Sequence, residues 1–119
     1  MRLYHGGDLD SVESLLEGEE LDPMIAAERH IDGPAGFYLA TDEGDAQYLA
    51  VRRSPGAIIV FEVDDEVIGT LLELGAVRRP IPGSPMSPSF AGDELYIPTS
   101  CFDAFNAARR QERIRVHAN

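Results

Sequence analysis

Lysine is absent from this 119-residue chain, cysteine occurs once, and no apolar run approaches the ~20 residues that cross a bilayer. Each gap excludes something. A single cysteine, Cys101, permits no internal disulfide and no cysteine-built metal cage, and its natural setting is a reducing compartment. It lies beside Phe102 and reads as buried filler rather than a nucleophile. The opening Met1-Arg2-Leu3-Tyr4-His5-Gly6-Gly7-Asp8 has no apolar segment of the signal-peptide kind, so the expectation is a soluble, cytoplasmic protein with no membrane contact. Basic charge is also scarce: ten arginines face 21 acids, a formal net charge of −11. Nucleic acid is therefore not the default partner, because phosphate binding draws on clustered Lys and Arg.

What is present suffices for one folded domain, residues 1–119. With 44% hydrophobic and 26% charged residues the chain can fold, and at this length about two-thirds of the unfolded surface can be buried. Residues 1–50 hold twelve acids against Arg2 and Arg29, whereas residues 51–119 hold nine acids and eight arginines. The doublets Arg52-Arg53, Arg78-Arg79 and Arg109-Arg110 read as solvated surface, and as phosphate grips only where they converge.

Leu3-Tyr4 reads as a short first strand closed by a Gly6-Gly7 turn. Asp10-Ser11-Val12-Glu13 is shaped like a capping box for a short helix ending near Gly18. Residues 19–35 lack periodicity and predict a loop or a weak helical turn around 24–28. Gly36-Phe37-Tyr38-Leu39-Ala40 is a compact strand. Thr41 stands at the N-cap position of a helix with Asp42, Glu43 and Asp45 in its first turn, running to Arg52-Arg53. Residues 57–63 form the clearest strand, apolar and β-branched. The stretch Val67 to Val77 reads as either strand or helix. Residues 80–92 carry four prolines and two glycines and predict a long irregular loop. Glu94 to Ile97, Phe102 to Arg110 and Ile114 to Val116 read as strand, helix and strand. The fold class is α+β, without the alternating series of a doubly wound sheet and without a glycine-rich nucleotide loop.

Three places join a strand to residues that packing alone does not call for: Tyr4-His5-Gly6-Gly7, Gly36-Phe37-Tyr38 with Tyr48 ten residues on, and Gly92-Asp93-Glu94-Leu95-Tyr96. In order and in strand context they resemble the mono- and poly-ADP-ribosyltransferases of the diphtheria-toxin-like, His-Tyr-Glu class, over about residues 3–98. The resemblance implies a small domain of split twisted β-sheets with two or three short helices and NAD in the cleft between the sheets. It implies that His5 orients a ribose hydroxyl of NAD and that the Gly6 backbone binds the carboxamide. Tyr38 and Tyr48 would sandwich the nicotinamide ring, and Glu94 would hold the ribose 2′-hydroxyl and stabilise an oxocarbenium ion. The residue types suit that chemistry: a fixed carboxylate opposes the charge built on the sugar, and tyrosine faces stack on a planar cation.

Departures from the pattern accompany the match. Asp45 stands where the related eukaryotic proteins have serine, and Gly92 stands where arginine-modifying relatives carry Glu or Gln, which leaves arginine unsupported as acceptor. The small rifamycin-modifying transferases share the aromatic-His-Gly opening and a similar passage through Tyr38 to Thr41. Each residue also has a plainer reading. His5 could serve a turn, Tyr38 and Tyr48 could be core aromatics, and Glu94 a solvated strand-edge carboxylate. His30 and His117 have no partner at ligand spacing, so no metal is expected, and Asp64-Asp65-Glu66 reads as a solvated turn.

The expectation is thus an NAD-dependent ADP-ribosyltransferase acting on a protein or small-molecule acceptor, by family analogy a toxin or effector, with a cognate antitoxin as a conceivable partner. The alternatives are a non-catalytic acidic module on the same fold, binding a basic protein through the surface from Glu17 to Asp32, or small-molecule inactivation of the rifamycin kind.

Overall fold

The computed structural model describes residues 1–29, 35–51, 55–82 and 90–119. The chain runs β1 (Arg2–Asp8), α1 (Leu9–Glu17), α2 (Pro23–Arg29), β2 (Gly36–Ala40), α3 (Glu43–Val51), β3 (Gly56–Val63), α4 (Asp65–Glu73), β4 (Val77–Pro80), β5 (Asp93–Pro98), a 3₁₀ turn (Thr99–Cys101), α5 (Phe102–Arg110) and β6 (Ile114–Ala118). All six strands pair antiparallel in one sheet of order β4-β5-β2-β1-β3-β6.

The ladders are uneven. β1 matches β3 through seven registered pairs, and β2 matches β5 through five. Between β1 and β2, at the centre of the sheet, a single pair is in register, Tyr4 with Ala40. The sheet is therefore two three-stranded halves, β4-β5-β2 and β1-β3-β6, joined by one rung.

Alternation along each strand sends successive side chains to opposite faces. One face carries Leu3, Leu39, Ile59, Phe61, Leu95 and Ile97, all at most 3% exposed, and packs on Val12 and Leu15 of α1, Val67 and Leu71 of α4, and Phe102 and Phe105 of α5. Phe37 extends this core, meeting Phe61 and Phe105 edge-on. Cys101 is buried in the same core, with its thiol on the Leu71 carbonyl. The other face is covered by α3 through Ala46 and Ala50. Among the described residues no helix is long and apolar enough to cross a membrane.

Several local expectations are corrected. Gly6-Gly7 does not turn: β1 runs through both to Asp8, held by the β3 ladder. The cap of α1 is Asp8, whose carboxylate accepts from the Ser11 amide at 2.9 Å and from the Ser11 hydroxyl, while Asp10 sits in the first turn. Gly18 ends that helix in the left-handed region at φ 112°, as a glycine C-cap does. Of the loop or weak helical turn expected around 24–28, the helical alternative holds and is longer: α2 runs Pro23–Arg29 and starts at a residue suited to a first helical position. At α3 the capping oxygen is that of Asp42, which accepts from the Asp45 amide at 3.1 Å, and Thr41 is engaged elsewhere. The stretch left open at 67–77 is helix α4 followed by the start of β4. Among the described residues five α-helices form rather than two or three. His30, the Arg52-Arg53 doublet and residues 83–89 of the proline-rich stretch lie outside the described residues.

Candidate active site

β1, β2 and β5, which carry His5, Tyr38 and Glu94, are consecutive in the sheet. Tyr38 faces Tyr96 in register and Ala40 faces Glu94, so Tyr38, Glu94 and Tyr96 project from the same face. The rings of Tyr38 and Tyr96 lie 5.1 Å apart at 37°. Tyr96 is fixed at its far end by a hydroxyl bond of 3.0 Å to the Ala35 carbonyl. Glu94 is only 6% exposed, and among the described residues its Oε1 has no hydrogen-bond partner. The neighbouring cation is Arg79, opposite Glu94 in the β4 ladder, with Nε 3.5 Å from Oε1 and the guanidinium 4.9 Å over the Tyr96 ring.

Burial pushes the Glu94 carboxyl above its ordinary range, and the charge of Arg79 works against that rise. The Tyr38 hydroxyl is raised for related reasons: burial first, then Tyr96, with Arg79 pulling down and Glu94 pushing up. Tyr38, Tyr96, Arg79 and Glu94 are therefore one electrostatic unit.

His5 enters from the other side of the pleat. The pairing of Tyr4 with Ala40 puts His5 and Phe37 on the face opposite Tyr38, and their rings stack at 4.4 Å and 24°. The imidazole reaches Tyr38 through its main chain: Nδ1 is 2.9 Å from the Tyr38 carbonyl oxygen. A carbonyl only accepts, so Nδ1 carries the proton of this bond, and in the neutral ring Nε2 is the acceptor nitrogen. Continuing the register of Tyr4 and Ala40 would set Gly6 against Tyr38, and in its place the His5 ring serves the Tyr38 carbonyl.

Gly6 has a role that its sequence context does not announce. A Cβ there would stand 2.2 Å from the Ala46 carbonyl oxygen and 3.0 Å from the Ala50 amide nitrogen, so only glycine lets α3 lie directly on β1. Tyr48 on that helix is half-buried and meets Phe90 edge-on, with centroids 5.6 Å apart.

Asp45 is the residue whose importance sequence reasoning missed. It is 5% exposed, and its two oxygens accept from the Ala91 and Gly92 amides at 2.9 and 2.8 Å. Beside it Thr41 exchanges two bonds with Asp93: Oγ1 accepts from the Asp93 amide and the Thr41 amide donates to the Asp93 carbonyl, both at 2.9 Å. A Cβ on Gly92 would come within 2.5 Å of Thr41 Oγ1. The approach to Glu94 is thus stitched to the β2–α3 corner over three consecutive residues. Spacing alone shows Asp45 as a first-turn acid, and the segment it binds lies 46 residues away.

The remaining arginine doublets do not converge. Arg78 pairs with Asp93 and Arg79 with Glu94, while Arg109 donates to the Leu15 and Glu19 carbonyls and Arg110 pairs with Glu20. Asp64 and Glu66 bind Arg113 and Arg115 rather than only solvent. Among the described residues no three His, Cys, Asp or Glu side chains gather as a metal-ion set. No family model matches the chain, and no curated protein or solved structure matches it.

Proposed function

We propose that this chain is an NAD-dependent ADP-ribosyltransferase, working at the join between the two halves of the sheet. The observation that carries the reading is Glu94: a buried carboxylate with an unpartnered oxygen, on the same face as Tyr38 and Tyr96, one strand from the backbone group that His5 holds. Burying a charge costs free energy, and an oxygen left without a hydrogen bond adds to it. A protein gains from such an arrangement when positive charge develops next to it.

Cleavage of NAD at the nicotinamide–ribose bond supplies that charge. The C1′–N bond breaks, its electron pair leaves with neutral nicotinamide, and the sugar becomes an oxocarbenium ion. Glu94 stabilises that ion and accepts from the 2′-hydroxyl. An acceptor nucleophile then bonds to C1′ and releases its proton; with water in that role the product is ADP-ribose. Tyr38 supplies an aromatic face for the cationic ring, with Tyr48 on the helix that covers the same side of β1. His5, on the opposite face, serves this site through its bond to the Tyr38 carbonyl, and the Gly6 backbone serves the carboxamide. The acceptor is a protein or a small molecule.

Release of nicotinamide from NAD, followed by chromatography for the wild-type chain and Glu94→Gln, tests this directly. Release by the wild type and its loss in the variant supports the reading. A wild-type chain that neither releases nicotinamide nor binds millimolar NAD in a calorimeter overturns it in favour of the acidic binding module.

A further inference from the structure

Arg79 and Glu94 form an ion pair that does not close. Their facing atoms are both buried, stand 3.5 Å apart, and neither has a hydrogen-bond partner among the described residues. A pair built for stability would shorten to the ~2.8 Å of a charge-assisted bond and satisfy both atoms. Instead the guanidinium rests on Tyr96, whose hydroxyl is itself anchored to Ala35. The cation is thereby held by an aromatic face as well as by its counter-ion.

The surroundings of Glu94 leave Arg79 alone in this task among the described residues. β2 offers it the Tyr38 hydroxyl, and β5 offers Tyr96. Asp93, its neighbour along β5, pairs with Arg78. Asp45 from α3 is spent on the Ala91 and Gly92 amides. Without a cation a carboxyl this buried would favour its neutral form, which cannot oppose a sugar cation. A cation in full contact would cancel the field the carboxylate must project.

We propose that Arg79 is a positioning residue of this site: stacked on Tyr96 at a stand-off from Glu94, it keeps the buried carboxylate charged without closing a direct bond to it. The inference rests on the transferase reading for its functional meaning, though the coupling of the two side chains can be measured without it.

The test uses the full chain with Arg79→Gln and Arg79→Lys, and Glu94→Gln to identify the signal. The Glu94 side-chain carboxyl is followed by carbon NMR through a pH titration, beside nicotinamide release from NAD across the same range. In Arg79→Gln the Glu94 midpoint should move to higher pH, the acid limb of kcat should move with it, and kcat on that limb should fall roughly tenfold with KM within about twofold. Arg79→Lys should restore most of the midpoint but less of kcat, since an ammonium keeps the charge and loses the planar stack. A Glu94 titration in Arg79→Gln that coincides with the wild type overturns the inference. A shifted titration in a protein that releases no nicotinamide upholds the coupling and overturns the transferase reading instead.

Discussion

The imidazole of His5 donates from Nδ1 to the main-chain oxygen of Tyr38 across 2.9 Å, a side chain doing the work of a strand at the centre of a sheet. The bond fixes both the tautomer of the histidine and the path of β2 beside it. His5→Ala removes this bond and the stack on Phe37, and should cost about 2 kcal/mol in denaturant unfolding. Nicotinamide release should fall roughly 100-fold, more than such a loss of stability explains, because the Tyr38 strand beside the proposed site loses its anchor. Full activity in a folded His5→Ala protein would remove the histidine from the site.

Glu94 carries a pH signature. Its folded-state carboxyl titrates above the ordinary value because burial outweighs Arg79. The native state thus holds this proton more tightly than the unfolded chain, so the contribution to stability is fully present below the unfolded value, about 4.3, and is lost as pH rises through the folded value. At pH 7 the buried charge is a burden. Glu94→Gln should therefore melt higher than wild type at pH 7, by roughly 4 °C, while losing activity. The gap should close toward pH 4. A lower melting point at pH 7 would mean that the Arg79 pair outweighs burial.

Asp45→Ala strips two charge-assisted bonds from the amides that precede Glu94. The cost should be about 3 kcal/mol, with Asp45→Asn losing roughly half as much because its amide oxygen can still accept one bond. Both variants should retain NAD binding better than turnover, since the displaced group is the carboxylate that the proposed reaction sets against the transition state. Calorimetric affinity measured beside kcat separates the two effects.

Gly6→Ala should be costly although alanine is the smallest possible addition. Its methyl would stand 2.2 Å from the Ala46 carbonyl, an atom of a helix backbone that cannot rotate aside. Displacing α3 should cost about 1–3 kcal/mol. The neighbouring Gly7→Ala meets only the edge of the His5 ring at 3.0 Å and should cost less. Equal penalties for the two substitutions would count against the close packing of α3.

The strands and helices with strong local signals were legible in the sequence. Residues 57–63, 94–97 and 102–110 carry β-branched alternation or a helical apolar face, and each forms the expected element. Gly6-Gly7 misled because glycine is a turn residue by intrinsic preference, whereas here a long ladder with β3 and the nearness of α3 decide. Thr41 misled for a similar reason: its hydroxyl suits a cap, but a tertiary partner at Asp93 takes it and Asp42 caps instead. Of the site, the types and order of His5, Tyr38 and Glu94 could be read, as could their strands. The partners that define their chemistry could not. Arg79 looks like half of a surface doublet and Asp45 like a helix-terminal acid; strand pairing brings Arg79 to Glu94, and bonds from the Ala91 and Gly92 amides bring Asp45 to the residues before it.

A sheet whose middle is cinched by one rung has unequal stiffness. Drawing the halves apart at β1 and β2 sacrifices the single match of Tyr4 with Ala40, while the seven pairs on one flank and the five on the other ride along intact. Amide exchange should be slow within each flank and fast at the waist, making the centre of this sheet, ordinarily the most rigid part of such a protein, its most compliant line.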